Sequence, residues 1–202
     1  MNSKFDYLRF IYTIKKIKMN IFYLDHDPKL CAEYHNDRHV IKMILESAQL
    51  LSTAHRILDG KEYISKSNTG RNVKRWILSD FRENFLYSAT HGSHPSAVWV
   101  RQSVSNYMWL SNLLQELCKE YTYRYGKVHK CESDGLVQML HDIVPDNISL
   151  TTFTEPTPAM PDECIVPNDS IASYKKYYTN SKQHLASWKG KINSREIPAW
   201  YC

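Results

Sequence analysis

Arg38, Lys42, Glu46, Gln49 and Thr53 are separated by four, four, three and four residues, the steps that align side chains in one stripe along an α-helix. Charged and polar side chains gathered on one face are what a site for proton transfer or for a charged partner requires. The stripe runs through Val40, Ile41, Met43, Ile44, Leu45, Ala48, Leu50 and Leu51, so the helix is expected to be buried on most sides. A buried charge costs several kcal/mol unless it is paired, and the stripe is therefore expected to face a polar cleft or a partner. The simpler alternative is a solvated edge with a Lys42–Glu46 pair worth about 0.3 kcal/mol.

A second segment, from His94-Pro95 through Trp99, Arg101, Tyr107 and Trp109 to the run Glu120-Tyr-Thr-Tyr-Arg-Tyr-Gly-Lys127, mixes aromatic faces with cations. Nucleic-acid channels use this mix for stacking and phosphate contact. About half of such aromatic residues belong to a core by ordinary packing. His94, Trp99, Arg101, Tyr123, Arg124 and Lys127 are read as nucleic-acid contacts, together with Arg38 and Gln49 of the first stripe.

Metal chemistry has weaker support. His35 and His39 lie four residues apart but lack an H-E-x-x-H arrangement, and the five cysteines contain no C-x-x-C pair,. His141-Asp142 with Asp146 resembles part of a metal-dependent HD-type phosphohydrolase set, a short pattern that nine histidines can produce by accident,. No metal and no cofactor is expected.

Of the 202 residues, 43% are hydrophobic and 23% charged, the balance of a folded domain rather than a disordered chain,. No apolar run reaches bilayer length, so a membrane span is not expected. The net charge of +5 is concentrated at the start: residues 1–18 hold five bases against one acid, leaving 21 bases and 20 acids from Met19 onward. A phosphate-binding surface must therefore come from local segregation of charge. The short apolar patch of the leader does not make a secretory signal. An odd set of cysteines without such a signal points to reduced thiols in a cytosolic or nuclear-type compartment, and a cytoplasmic location is expected. Residues 1–18 are read as a basic, dispensable leader, or as an amphipathic helix that packs; Met19 would be the functional start in the first case.

The elements that must position these residues follow from period and punctuation. Residues 19–24 read as a short strand, and Asp27-Pro28 as the cap and first turn of a helix to about residue 35. A longer helix spans 37–58 and stops at Asp59-Gly60. Residues 60–75 read as a loop or hairpin, and 73–87 as helical. One long amphipathic helix is expected from 96 to 126. Five prolines between Pro145 and Pro167 mark an extended surface connection, and a last helix opens near Ser170 with Ile171, Tyr174, Tyr178, Leu185 and Trp188 on its buried side,. The expected fold is mainly α: one compact helical domain over 19–202 with a short N-terminal strand and a Pro-rich connection.

The order Asp37-Arg38-x-x-x-Lys42-x-x-x-Glu46-x-x-Gln49-Leu-Leu, then His94-Pro with Trp99, then Glu120-Tyr-x-x-Arg-Tyr-Gly resembles the phage pyrimidine-dimer DNA glycosylases, the endonuclease V-like helical family, and an uncharacterised branch carried by phages and large DNA viruses. The resemblance covers residues 19–130. It implies a helical DNA-repair enzyme that flips a damaged site out of duplex DNA. In that family an N-terminal amine attacks C1′ of the sugar, an imine forms, and the strand is cut by β-elimination with help from a glutamate. The family's glutamate position falls here on Asn36 or His39, and Glu46 takes its place. The expected function is thus an N-glycosylase/lyase acting on a damaged base or abasic sugar, with Glu46, Lys42 and His39 as chemical groups and duplex DNA as partner. The alternative is a non-catalytic nucleic-acid or nucleotide binder on the same scaffold.

Overall fold

The computed structural model describes residues 19–202; the expectations for the leader lie outside the described residues. Two long helices form the frame. Helix α2, Asp37–Asp59, begins where the Asn36 side chain accepts the His39 N–H (2.9 Å) and ends at Gly60, a side-chain cap at the N-terminus and a residue of low helix propensity at the other end. Any side chain at Gly60 would meet the Arg56 carbonyl at 2.5 Å. Helix α1, Pro28–Tyr34, precedes it, capped by Asp27.

The single helix expected over 96–126 is divided. Helix α3, Pro95–Val100, is followed by a break at 101–103 and then by α4, Val104–Tyr125. The break has a local cause: Ser103 is extended, and its hydroxyl accepts the Asn106 N–H at 3.0 Å, capping a new helix,. Gly126 closes α4 in the left-handed conformation at φ 64°,. Helix α4 packs against both α1 and α2. Short helices α5, Lys130–Ser133, and α6, Leu136–Asp142, fold back on this frame, and α7, Ser170–Ser181, closes it. Helix α7 ends before Leu185, which closes a 3-10 turn over Gln183–Leu185, and before Trp188, which follows in irregular chain.

The architecture is mainly α, with seven helices and one two-stranded sheet among the described residues. That sheet is not where the N-terminal strand was expected. Residues 19–24 are buried but form no strand and have no partner strand. Their amides bond to side chains instead: Asn20 N–H donates to Glu46 Oε2 (3.1 Å), Ile21 and Phe22 N–H to Asn20 Oδ1 (2.8 and 3.3 Å), and Leu24 N–H to Cys31 Sγ (3.4 Å). A buried segment can lack a ladder when its donors are satisfied this way. Phe22 sits at φ 55°, a left-handed conformation that a bulky residue adopts only under constraint,. Its ring stacks on His39 with centroids 4.2 Å apart and meets Tyr178 edge-on at 5.3 Å.

The strands lie at β1, Lys61–Lys66, and β2, Asn72–Ile77, an antiparallel hairpin with Lys61 opposite Ile77 and Lys66 opposite Asn72. The helix expected over 73–87 is therefore replaced by β2 and one short 3-10 turn, Phe81–Asn84. The Pro-rich stretch forms no strand and holds only a 3-10 turn, Asp162–Cys164, and it does not lie wholly on the surface as expected, because Ile148, Pro156, Ala159, Met160 and Cys164 turn inward. No helix of the described residues is long and apolar enough to cross a membrane.

Candidate active-site cleft

The stripe on α2 divides between solvent and interior. Arg38 and Lys42 are exposed, Gln49 is half-buried, and Glu46 and Thr53 are buried. Lys42 Nζ lies 2.9 Å from Glu46 Oε1. The other carboxylate oxygen accepts the Asn20 N–H, so Glu46 is held from two sides while the Lys42 side chain remains about half exposed. Ile41 and Leu45, expected in the core, are exposed beside Lys42 at 42% and 41%. Positions 38, 41, 42, 45 and 49 thus form one open face with an amine at its centre and apolar side chains next to it.

Asn20 connects this face to a cleft. Its amide Nδ2 donates to the Ala159 carbonyl at 2.8 Å. Ala159 lines a cleft of about 430 Å³ with Met160, Pro158, Pro95, His91 and His94. One residue therefore bonds the Glu46 carboxylate through its backbone and the cleft wall through its side chain. His94 Nδ1 accepts the Ser96 N–H at 3.2 Å, which leaves Nε2 as the protonated nitrogen of the neutral ring. Burial lowers the His94 pKa and favours that neutral form,. The wall of the cleft accordingly holds an imidazole donor.

Other expected site residues are placed elsewhere. His39 is buried, receives the Tyr178 hydroxyl and the Asn36 amide at Nδ1 (2.5 and 3.3 Å), and stacks on Phe22. Burial drives its pKa down to about 2, so it is a neutral packing residue. Trp99 is buried and donates its indole N–H to the Thr154 carbonyl at 2.7 Å, which prevents it from serving as an exposed wedge. Arg124 is fully buried. Its guanidinium donates to Glu120 Oε1 (2.6 Å), Asp37 Oδ1 (3.0 Å) and the Glu33 carbonyl (2.9 Å), and so is not presented to a phosphate. Arg101 is half-buried and bonds the Gly92 and Ala97 carbonyls, both at 2.7 Å. Tyr123 and Lys127 are exposed at the far end of α4, with the Arg195 guanidinium 4.2 Å from the Tyr123 ring centre.

Many residues that carry the sequence resemblance thus build the scaffold. Asp37, Glu120 and Arg124 tie the start of α2 to the end of α4, and the network extends to Arg195 on Glu120 and to the Ser187 hydroxyl on Asp37. No family model, curated protein or solved structure matches the chain. The carboxylates of the HD-type set have other partners: Asp142 accepts from Gln138 and Asp146 pairs with Arg82. Among the described residues no group of three or more His, Cys, Asp or Glu is placed to hold a metal ion.

Buried histidines give this fold a pH signature. His55 Nδ1 accepts from Arg82 (3.2 Å), and its Nε2 faces the Tyr107 hydroxyl (2.8 Å), which donates onward to the Leu140 carbonyl. Burial, followed by the nearby Arg82 charge, lowers the His55 pKa to about 4; burial, opposed by hydrogen bonding to Cys31, lowers that of His35 to about 4. The unfolded chain then binds protons that the native state refuses. Stability from these two groups is complete above about pH 6.5 and is lost as pH falls toward 4. Thermal melts at pH 7, 6 and 5 are expected to show a falling midpoint, and His55→Gln a shallower fall. A midpoint flat over that range would remove the neutral-histidine reading.

Proposed function

We propose that the protein is a DNA-repair-type glycosylase/lyase whose amine is Lys42 and whose proton carrier is Glu46. The observation that carries this reading is the 2.9 Å approach of Lys42 Nζ to a carboxylate fixed on its other side by the Asn20 N–H. In the reaction, Glu46 takes a proton from the Lys42 ammonium, and the neutral amine adds to the C1′ aldehyde of a ring-opened abasic sugar. Loss of water gives an imine. Removal of a C2′ proton then expels the 3′-phosphate by β-elimination, and hydrolysis of the imine restores the amine. Arg38 lies one turn before Lys42 and supports a flanking phosphate. Ile41 and Leu45 give the extruded nucleotide an apolar surface, and His94 Nε2 is a donor for a base in the neighbouring cleft.

This mechanism differs from that of the family the sequence resembles in drawing its amine from a side chain, so it does not depend on where the chain begins. The test is borohydride trapping on an abasic-site duplex. A covalent protein–DNA adduct is expected with the wild-type chain, and the absence of any adduct at saturating protein would reject the lyase.

A further inference from the structure

The hairpin is one of two strongly cationic stretches of the described chain; the other, residues 170–195, holds six bases and no acid. Residues 61–77 contain Lys61, Lys66, Arg71, Lys74 and Arg75 against Glu62 alone, whereas the rest of the chain from residue 19 holds 16 bases against 19 acids. Glu62 neutralises only Lys74, at 2.9 Å. The charge segregation that a phosphate-binding surface requires is therefore present on this ribbon.

The shape of this element is as specific as its charge. Each strand is six residues long, about 20 Å at ~3.4 Å per residue,. The register puts Lys61 and Arg75 on one face with Tyr63, and Lys66 and Lys74 on the other with Ile64. Arg71 stands at the turn, where Ser67 N–H donates to the Arg71 carbonyl at 2.8 Å. Tyr63 and Ile64 remain exposed, at 47% and 60%. A two-stranded ribbon standing free on both faces is marginal by itself, and here its base is fastened. Arg56 of α2 donates to the Trp76 carbonyl (3.1 Å) and to Glu83 (2.7 Å).

We infer that β1–β2 is a duplex-binding ribbon that enters a groove of DNA, its cations meeting phosphates on either side and at its tip. A B-form major groove, about 12 Å wide, admits a two-stranded ribbon, and a polyanion is the partner that complements cations on both faces. This assignment deepens the lyase reading by naming the surface that holds the duplex, but it requires no chemistry at Lys42.

The experiment measures full-length protein binding to an undamaged 20-base-pair duplex by fluorescence anisotropy across a salt series. Replacing Lys66, Arg71 and Arg75 together with Ser should weaken binding roughly 100-fold or more at ~0.1 M salt and reduce the slope of log affinity against log salt by about three. Arg71→Lys with Arg75→Lys should stay within about threefold of wild type, because the charges remain. If the triple variant melts, Lys66→Ser alone should reduce the slope by about one. Wild-type affinity and slope in the triple variant would overturn the inference, and so would binding of the wild-type chain to phosphatidylserine vesicles but not to duplex. Hairpin-dependent binding without borohydride trapping would reject the lyase and keep the ribbon. Trapping that survives the triple substitution unchanged, with unchanged duplex affinity, would do the reverse.

Discussion

Arg124→Ala is expected to lower the melting midpoint by roughly 6–20 °C. Removing one member of a buried charge network costs about 3–5 kcal/mol because the partners stay buried without compensation, and a domain of this size loses about 2–4 °C per kcal/mol. Here the abandoned partners are the carboxylates of Glu120 and Asp37 and the carbonyl of Glu33. Arg195 would still reach Glu120 at 2.9 Å, which places the loss below that of an entirely unpaired carboxylate. Arg124→Lys should rescue only part of the stability, since one ammonium cannot span three acceptors in the planar geometry of a guanidinium. Circular-dichroism melts of the three proteins test this. An unchanged midpoint accompanied by weakened duplex binding would return Arg124 to the role of phosphate ligand that its sequence context suggests.

Arg124 also shows where sequence reasoning stops. Its place on a long helix was legible from the apolar steps around it, as were the cap at Asp27 and the starts of α2 and of the helix near Ser170, because these signals are local. Its partner Asp37 lies 87 residues away, and no local spacing distinguishes an arginine that reaches back into the core from one that reaches out to DNA. Trp99 fails for the same reason: the Thr154 carbonyl that takes its indole proton belongs to a distant segment.

The hairpin was legible in part, since residues 60–75 read as a loop or hairpin, but its second strand was lost to the helix expected over 73–87. Its strands are exposed on both faces, so there is no clean alternation of apolar and polar residues to mark them. The five-residue connection at Ser67 to Arg71 lacks the two-residue Asn-Gly or Asp-Gly signal of a tight hairpin,. The N-terminal segment had the opposite defect. Its composition is that of a strand, but Asn20 and Cys31 supply the acceptors that a neighbouring strand would have offered. The pairing of Lys42 with Glu46 was readable as an i,i+4 contact. That Glu46 would also be fixed by the backbone of residue 20 was not, and this second hold separates an exposed helix-face pair from a carboxylate fixed on two sides.

Lys42→Ala is expected to abolish the borohydride-trapped adduct, with at least a 100-fold loss, while leaving the melting midpoint within about 2 °C of wild type. The side chain is about half exposed and its ion pair with Glu46 is of the kind worth less than about 1 kcal/mol,, so little stability depends on it. Lys42→Arg should also fail to trap, because a guanidinium keeps its charge and offers no free amine. Glu46→Gln separates the two functions of the carboxylate. The amide oxygen can still accept the Asn20 N–H, which preserves the local fold, but the side chain can no longer take the Lys42 proton. Loss of general acid–base assistance is worth about 10²–10⁴-fold, and single-turnover strand cleavage should fall by that factor with abasic-duplex affinity nearly unchanged. Full trapping by Lys42→Ala would place the nucleophile elsewhere in the chain. A Glu46→Gln protein that melts early and cleaves normally would show that the carboxylate holds residue 20 in place and does no chemistry.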